Sequence, residues 1–506
     1  MKYRFVACLL PVCCSVLNFV PTTDVNLIAL QTQSLNPYGM RLEGRSQVME
    51  VPRLKSIRES KGWSQQTLAD KIGTHKTLVS RWETGKSSIS LSHRQKLCDV
   101  LGVTLQELGS VPEEVKESRE YTGSDERLLR HAAEALKNPH LIQYLKWKYH
   151  NMPILERCGQ VYPVAVFPAQ GEQMKDLESV LVGRLDKTIN NDQDKNLGDP
   201  QFREMVKRLG RFLENRVTYT MKELLTEEYK VGMTCGIGTY FECLDTCDSL
   251  EWELLSNHHY LSRSDEKAFQ QFETRLPLRS ALHAKVVDPV RSGLHRSVAI
   301  SISTLVAFND EGTLRLWLKR RSAKVAVHAN LFHVIPSFMF QPGTEYYDKE
   351  FSITHNIYRE YLEEIFNRPE PEKGDWRYFY DDPTLLFLQR LLNIGEAELY
   401  LSGVAVNLLN LRPEICTVLL IRSPEWHQYH RQATKREDRF WFNEEWLHVV
   451  LNAGDNPGNL ITPIAYRETD EEWMQAAPLQ AHQIVPPGVG SFWLGIDVLR
   501  KVKLLL

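Results

Sequence analysis

Two sets of residues in this chain have the types and spacings that could do chemistry. The first is the run Arg359-Glu360-Tyr361-Leu362-Glu363-Glu364. On a helix, Glu360, Glu363 and Glu364 fall at i, i+3 and i+4, on one face. Glu360 and Glu364 are like charges at a repulsive spacing. A divalent cation that prefers oxygen, such as magnesium, would relieve that repulsion and bridge to a diphosphate. Arg359 stands four residues before Glu363 and can pair with it, orienting one carboxylate. The plain alternative is a solvated acidic face. The second set is Gln65, Lys76, Thr77, Ser80 and Arg81, spread over two short amphipathic segments. Lys76 and Arg81 can donate to guanine, and Thr77 can contact a base or a phosphate. Gln65 can reach a phosphate or a base edge, and Ser80 a phosphate. A third group, Cys243, Cys247, His258 and His259, has a zinc-compatible C-x3-C spacing. Adjacent histidines rarely both ligate one ion, so buried thiols beside a helix are the better reading.

The second set needs a helix that presents it outward. Residues 51–109 supply short amphipathic segments separated by Gly62 and Gly73. Ser64 is a good N-cap, followed by Leu68, Ala69 and Ile72 on one apolar face. Gly73 can take the left-handed conformation that ends a helix. Thr74 can cap the next, where Leu78, Val79 and Trp82 turn inward. This resembles the XRE family, the lambda-repressor/Cro type of helix-turn-helix. The matching residues are Leu54, Arg58, Ser64-Gln65, Leu68-Ala69, Gly73, Val79-Ser80, Trp82-Glu83, Gly85-Lys86, Leu97 and Leu101-Gly102-Val103. Ser88-Ile89 stands where the family often has a proline. The resemblance implies a five-helix module whose third helix enters the major groove of double-stranded DNA. Charge agrees. Residues 51–109 carry ten Lys/Arg against five Asp/Glu, a local +5 in a chain of −3, leaving −8 elsewhere. Positive charge is concentrated where phosphates would sit.

The glutamate run needs a helix docked beside strands. Val298–Phe308 alternates in β-type residues, Asn309-Asp310-Glu311-Gly312 is a turn, and Leu314–Lys319 is a second strand, which together predict a hairpin. His333–Phe340 reads as a third strand and Ile353–Phe366 as the helix. Ala405–Asn407 and Ile415–Ile421 read as later strands, and 444–451 as a helix. Core and context resemble the Nudix box, Arg-Glu-hydrophobic-x-Glu-Glu, over about 295–425. That resemblance implies magnesium held by Glu360, Glu363 and Glu364, with Arg359 orienting one of them. The chain departs from the full box. The upstream glutamate position falls on Phe351, with Glu350 adjacent. The first glycine position falls on Glu345, with Gly343 close. Pro-Gly-Gly becomes Pro336-Ser337-Phe338, and the glycine after the glutamates is Phe366, followed by Asn367, which tolerates a left-handed turn. The missing glycines and the displaced glutamate favour sensing over turnover.

A length of 506 residues with 42% hydrophobic and 25% charged residues indicates a soluble, multidomain globular chain. Nine scattered cysteines do not form a secreted disulfide framework. Lys2 and Arg4 precede an apolar run from Phe5 to Val20 that resembles a leader. Met49 sits just before the first helix of the DNA-binding pattern. Residues 1–48 are therefore either a leader, as in a membrane-tethered regulator, or the product of a start assigned too far upstream. The organisation expected is a helix-turn-helix domain at 49–110, a linker at 111–123, a mainly helical middle region at 124–290 and a Nudix-like domain with a C-terminal extension at 291–506. Within the middle region, Val161–Phe167 reads as a strand, 190–200 as a polar loop and 201–229 as helix. The fold class is thus multidomain: an all-α five-helix module, a mainly helical α+β region and a C-terminal α/β Nudix-like sandwich. The function expected is a cytoplasmic, homodimeric transcription regulator that binds double-stranded DNA and senses a nucleotide-type ligand or a partner. The rival is a magnesium-dependent Nudix-type hydrolase of nucleoside diphosphate derivatives that carries a helix-turn-helix domain.

Overall fold

The structure is a computed structural model. It describes residues 54–83, 91–103, 134–187, 197–208, 213–227, 230–321, 328, 330–369, 374–442 and 463–503. The chain divides into two compact units between Ser118 and Arg119, and each is described by itself. The leader region at 1–48, the linker at 111–123, the fifth helix of the N-terminal module and the helix expected at 444–451 lie outside the described residues.

The first unit contains α1 (Leu54–Ser60), α2 (Gln65–Ile72), α3 (Lys76–Glu83) and α4 (Leu91–Leu101). The Ser64 hydroxyl caps α2 by accepting from the Thr67 N–H at 3.0 Å. Gly73 ends α2 at φ 70°, in the left-handed region that a side chain would strain. Helices of seven to eleven residues do not persist alone in water. They are held by a shared core of Leu54, Leu68, Ala69, Ile72, Val79, Trp82, Leu97 and Leu101. Each large apolar side chain buried there contributes about 1.5–3 kcal/mol.

The second unit runs α5 (Pro139–Lys148), β1 (Ile154–Arg157), β2 (Gln160–Pro168), α6 (Gln201–Arg208), β3 (Val217–Glu227), β4 (Lys230–Thr239), α7 (Ser249–Asn257), α8 (Glu266–Glu273) and α9 (Pro277–Lys285). It continues with β5 (Ser301–Asp310), β6 (Thr313–Leu316), β7 (Leu318–Arg320), β8 (Phe332–Val334), β9 (Ser337–Met339), α10 (Ile353–Glu360), α11 (Pro383–Asn393), β10 (Ala397–Asn407), β11 (Pro413–Ile421) and α12 (Pro424–Gln432). The last elements are β12 (Ile464–Ala465), α13 (Asp470–Ala476) and α14 (Pro486–Lys503). Two helical stretches contain π turns, Leu244–Asp248 before α7 and Tyr361–Ile365 after α10.

The main sheet has the order β1-β2-β10-β11-β5-β6-β12, with β9 also paired to β5. β11 and β5 are parallel, Glu414 opposite Ser301 through Ile421 opposite Phe308. The sheet is covered on both faces. On one face Leu305, Val418 and Ala405 join Phe492, Trp493 and Ile496 of α14 in the larger core. Glycine makes that approach possible: a Cβ on Gly490 would stand 2.7 Å from the Ala405 Cβ, and one on Gly495 2.6 Å from a Leu305 methyl. On the other face Val306, Phe308, Leu419 and Ile421 pack with Tyr361, Leu362, Ile365, Leu385, Leu388 and Trp426.

The α/β sandwich expected at the C-terminal end is therefore present as a mixed α/β arrangement, and the β5–β6 hairpin is formed as expected. The expected third strand is split into β8 and β9 at Ile335-Pro336. Two further expectations are corrected. The division at 290/291 is crossed by the sheet: β2, from the middle region, pairs with β10 from Pro168 opposite Gly403 to Val164 opposite Asn407. The larger core likewise joins residues from both sides of that division. Residues 201–229 are not one helix. Helix is described over Gln201–Arg208, and Val217–Glu227 forms β3, paired with β4. The β-branched alternation Val217-Thr218-Tyr219-Thr220 and a partner strand override the helical pattern before it. Among the described residues no helix is long and apolar enough to cross a membrane.

Burial keeps several imidazoles neutral in the second unit. It lowers His283 to about 3, and His355 and His430 to about 4, from an ordinary 6.5. The unfolded chain takes up protons below about pH 6.5 that the folded chain refuses, so these groups oppose folding in acid and have little effect above that pH. Thermal melts are expected to show the second unit losing stability as pH falls from about 6.5 towards about 4, with replacement of His430 by Phe flattening part of that slope.

Candidate functional site

In the first unit, α3 is fixed by a hub at its last residue. Glu83, 2% exposed, accepts from Arg58 Nε at 2.5 Å and from Arg58 Nη2 at 2.9 Å. The Glu83 carboxylate also accepts from Gln65 Nε2 at 2.8 Å. Arg58 Nη1 donates to the Trp63 carbonyl at 2.6 Å. One buried fork thus ties α1, the turn before α2, α2 and α3 together. The bond to Glu83 raises the Arg58 pKa above its ordinary value against the cost of burial. With Val79 and Trp82 turned into the core, Lys76 and Thr77 are exposed and Ser80 and Arg81 are half-buried. The structure brings these four onto α3 and departs from the sequence reading at Gln65, whose amide is bound to Glu83 rather than presented outward.

In the second unit a cavity of about 470 Å³ opens beside the sheet. One wall is the glutamate helix: Glu360, Glu363 and Glu364 all line it. Each has surroundings of its own. Arg359 Nη2 donates to Glu360 at 2.8 Å. Glu360 and Glu363 raise the Arg359 pKa although burial opposes it. Glu364, 4% exposed, accepts from the Ser337 N–H at 3.0 Å. Lys319 is buried near it, and burial holds its ammonium well below the ordinary lysine value, with Glu364 opposing that shift. Glu363 is half-buried. The π turn over Tyr361–Ile365 replaces the i→i+4 repeat at these residues. Glu360, Glu363 and Glu364 therefore share a wall without converging. Among the described residues no three His, Cys, Asp or Glu side chains come together to hold a metal ion. Cys243 and Cys247 are buried in their helical stretch, and His258 and His259 lie in the turn after α7.

The departures from the full box have structural counterparts. Glu350, 1% exposed, accepts from the Gly343 N–H at 2.6 Å and the Thr344 N–H at 3.0 Å, so the displaced glutamate and the displaced glycine meet each other. Asn367 takes φ 52° after the π turn.

The remaining cavity walls come from residues that carried no sequence signal as a group. Arg216 and Tyr240 come from the segments flanking β3 and β4, Arg321, His328 and His333 from around β7 and β8, and Asn407, Asn410, Arg412 and Glu414 from the β10–β11 connection. Behind them His328 Nε2 lies 3.0 Å from Glu251, Asn410 donates to Glu251 at 2.8 Å, and Arg412 Nη1 lies 3.4 Å from Asp248. The cavity is thus lined by the carboxylates of the glutamate helix together with several arginine and histidine side chains. The sequence reading missed all the residues of these remaining walls; the one signal that could have found a member is Glu414, a carboxylate in the run Pro413–Ile421, which apart from Thr417 is otherwise apolar.

The helix-turn-helix family matches residues 54–108. A similar protein is the SPbeta prophage-derived uncharacterized HTH-type transcriptional regulator YonR of Bacillus subtilis (strain 168), 42% identical over 52 residues, which are 10% of this chain and 48% of that protein. Another is a Neisseria hypothetical transcription factor of Neisseria meningitidis serogroup B, 38% identical over 61 residues, 12% of this chain and 58% of that protein. The chain spans about half the length of these curated relatives. Residues 54–108 thus carry a helix-turn-helix domain of the type named in known transcription regulators.

The Arg58–Glu83 fork is buried, so removing one partner strands a charge, unlike loss of a surface pair worth about 0–1 kcal/mol. Glu83→Ala is expected to destabilise the first unit by about 3–5 kcal/mol, read as a lowered urea midpoint by circular dichroism of the isolated helical module beside the intact chain.

Proposed function

We propose that this protein is a sequence-specific, DNA-binding transcription regulator whose second unit senses a nucleotide-type small molecule. The observation that carries the first half is α3, held rigidly by the Glu83 fork with Lys76, Thr77, Ser80 and Arg81 on the side away from Trp82. A short helix pinned in that way can enter a major groove, with Arg81 forking a guanine, Lys76 donating to a base and Thr77 and Ser80 meeting base or phosphate. The surplus of basic residues over 51–109 supports phosphate contact.

The observation behind the second half is the cavity lined by Glu360, Glu363 and Glu364 and by Arg321, Arg412 and His328. The glutamate helix against a mixed sheet is consistent with the Nudix-like reading. The carboxylates do not fit a resident metal as they stand: Glu360 and Glu364 already have protein partners and the three do not converge. Sensing of a ligand therefore accounts for the site better than metal-dependent turnover.

A single module of this size has a small interface on DNA, so we infer a homodimer reading two half-sites of an imperfect palindrome about one helical turn apart.

Arg81→Ala is expected to weaken specific binding by about 1–3 kcal/mol, read by electrophoretic shift on a selected operator, with nonspecific binding changed much less; equal operator affinity rejects the assignment of α3. The assembly is checked by light scattering of the protein alone and on DNA. A monomer in both states, with a footprint of one half-site, contradicts the dimer.

A further inference from the structure

We propose that Ser337 and His333 are a nucleophile and its base, and that the cavity hydrolyses small carboxylic esters through an acyl group carried on Ser337. This adds an activity to the cavity and stands without the nucleotide reading of it.

Both residues line the cavity. Ser337 is the first residue of β9 and keeps part of its surface exposed. His333, in β8, is 2% exposed. The two lie either side of the break at Ile335-Pro336 that separates the strands, and His333 Nε2 is 3.2 Å from the Ser337 Oγ. The other ring nitrogen, Nδ1, is 3.2 Å from the Val334 carbonyl, which can only accept. In the neutral ring the proton therefore sits on Nδ1, and Nε2 presents a lone pair to the serine hydroxyl. A base hydrogen-bonded to its nucleophile and oriented by a third group is the arrangement that activates a serine. The ring is held in place as well. It pairs across to Lys319 of β7, and α14 passes so close that a Cβ on Gly488 would stand 3.1 Å from it.

Glu414 Oε1 lies 3.5 Å from the same Nε2. Burial would push the Glu414 carboxyl up, but His333 brings it below its ordinary value. A carboxylate thus stands beside the imidazolium that forms when Nε2 takes the serine proton, and steadies it. Glu414 acts through His333 and is a positioning residue.

The surroundings select the electrophile. Glu364 accepts from the Ser337 N–H and Glu414 faces the base, so an anionic phosphate ester is repelled at the reacting atom and a neutral carbonyl is not. Arg412 lines the same cavity, its Nη2 3.1 Å from the sulfur of Met339, two residues along β9. It supplies positive charge for the oxygen of the tetrahedral intermediate. In the first step Oγ bonds to the carbonyl carbon, the bond from that carbon to the alkoxy oxygen breaks, and the serine proton passes through Nε2 to the departing alcohol. Water then attacks the acyl group, gives its proton to Nε2, and Oγ recovers it as the acid leaves.

The test treats the full chain with an alkyl fluorophosphonate, which marks activated serines, and maps the adduct by mass spectrometry. Labelling is expected at Ser337 and is expected to vanish in Ser337→Ala, which keeps the main-chain N–H that Glu364 accepts from. In His333→Gln the labelling rate is expected to fall at least about 100-fold, with a thermal melt showing that the variant is folded; S337A decides the matter if it is not. With p-nitrophenyl butyrate the wild-type protein is expected to release nitrophenolate over many turnovers, and S337A none. No adduct on Ser337, an adduct that forms as fast in folded H333Q, an adduct without turnover, or turnover that persists in S337A overturns the inference. None of these results touches the sensing reading, which fails separately if nucleotides do not bind.

Discussion

The parallel pairing of β11 with β5 is the constraint on which the second unit depends. Eight matched positions, from Glu414 and Ser301 to Ile421 and Phe308, fix which side chains point to which face. A slip of one residue would exchange the two sets. In the observed register Leu305 and Val418 meet α14, while Val306 and Leu419 meet the helices that follow β9 and β11. The same register brings Ser301 and Glu414 together at one end of the strands, and there the cavity opens. Packing of the faces and composition of the cavity floor are two results of one alignment.

How much of this was legible in the sequence follows from the range of the contacts involved. The N-terminal module is built by neighbours: Ser64 caps its own helix, Gly73 ends it, and the core residues recur at helical spacing. Local rules therefore recover it. The helix carrying the glutamates is legible for the same reason, but its π turn is not, because an extra backbone residue per turn leaves no mark in side-chain periodicity. β3 was hidden because its β-branched start follows directly on a helical pattern, and its partner strand, which the local sequence does not show, completes the choice of strand. The misplaced boundary at 290/291 has the same origin: nothing in Val164–Pro168 announces a partner at 403–407. Gln65 shows the opposite limit. Its position suits DNA contact, yet Glu83, eighteen residues away, takes its amide.

The two units handle buried charge differently. In the first, Arg58 and Glu83 satisfy each other bidentately and recruit Gln65 and the Trp63 carbonyl. The result is a closed network that contributes rigidity and little else. In the second, Asp248 and Glu251 hold Arg412, Asn410 and His328 from behind, which orients these groups along a cavity wall. A network backed by carboxylates on its far side spends its binding capacity in one direction and keeps polar surface available in the other.

The long separation between partners in the sheet has a consequence for biosynthesis. The first unit draws its core from residues 54–101 and can close while the ribosome is still far from the end of the message. The second cannot. β2 waits for β10, more than two hundred residues later, and Pro486–Lys503 then packs on the face both strands present. Elongation at about 5–20 residues per second leaves an interval in which the helical module is complete and the sheet is bare. A nascent chain in that interval carries a complete helix-turn-helix core while the apolar strands of the second unit still lack their cover.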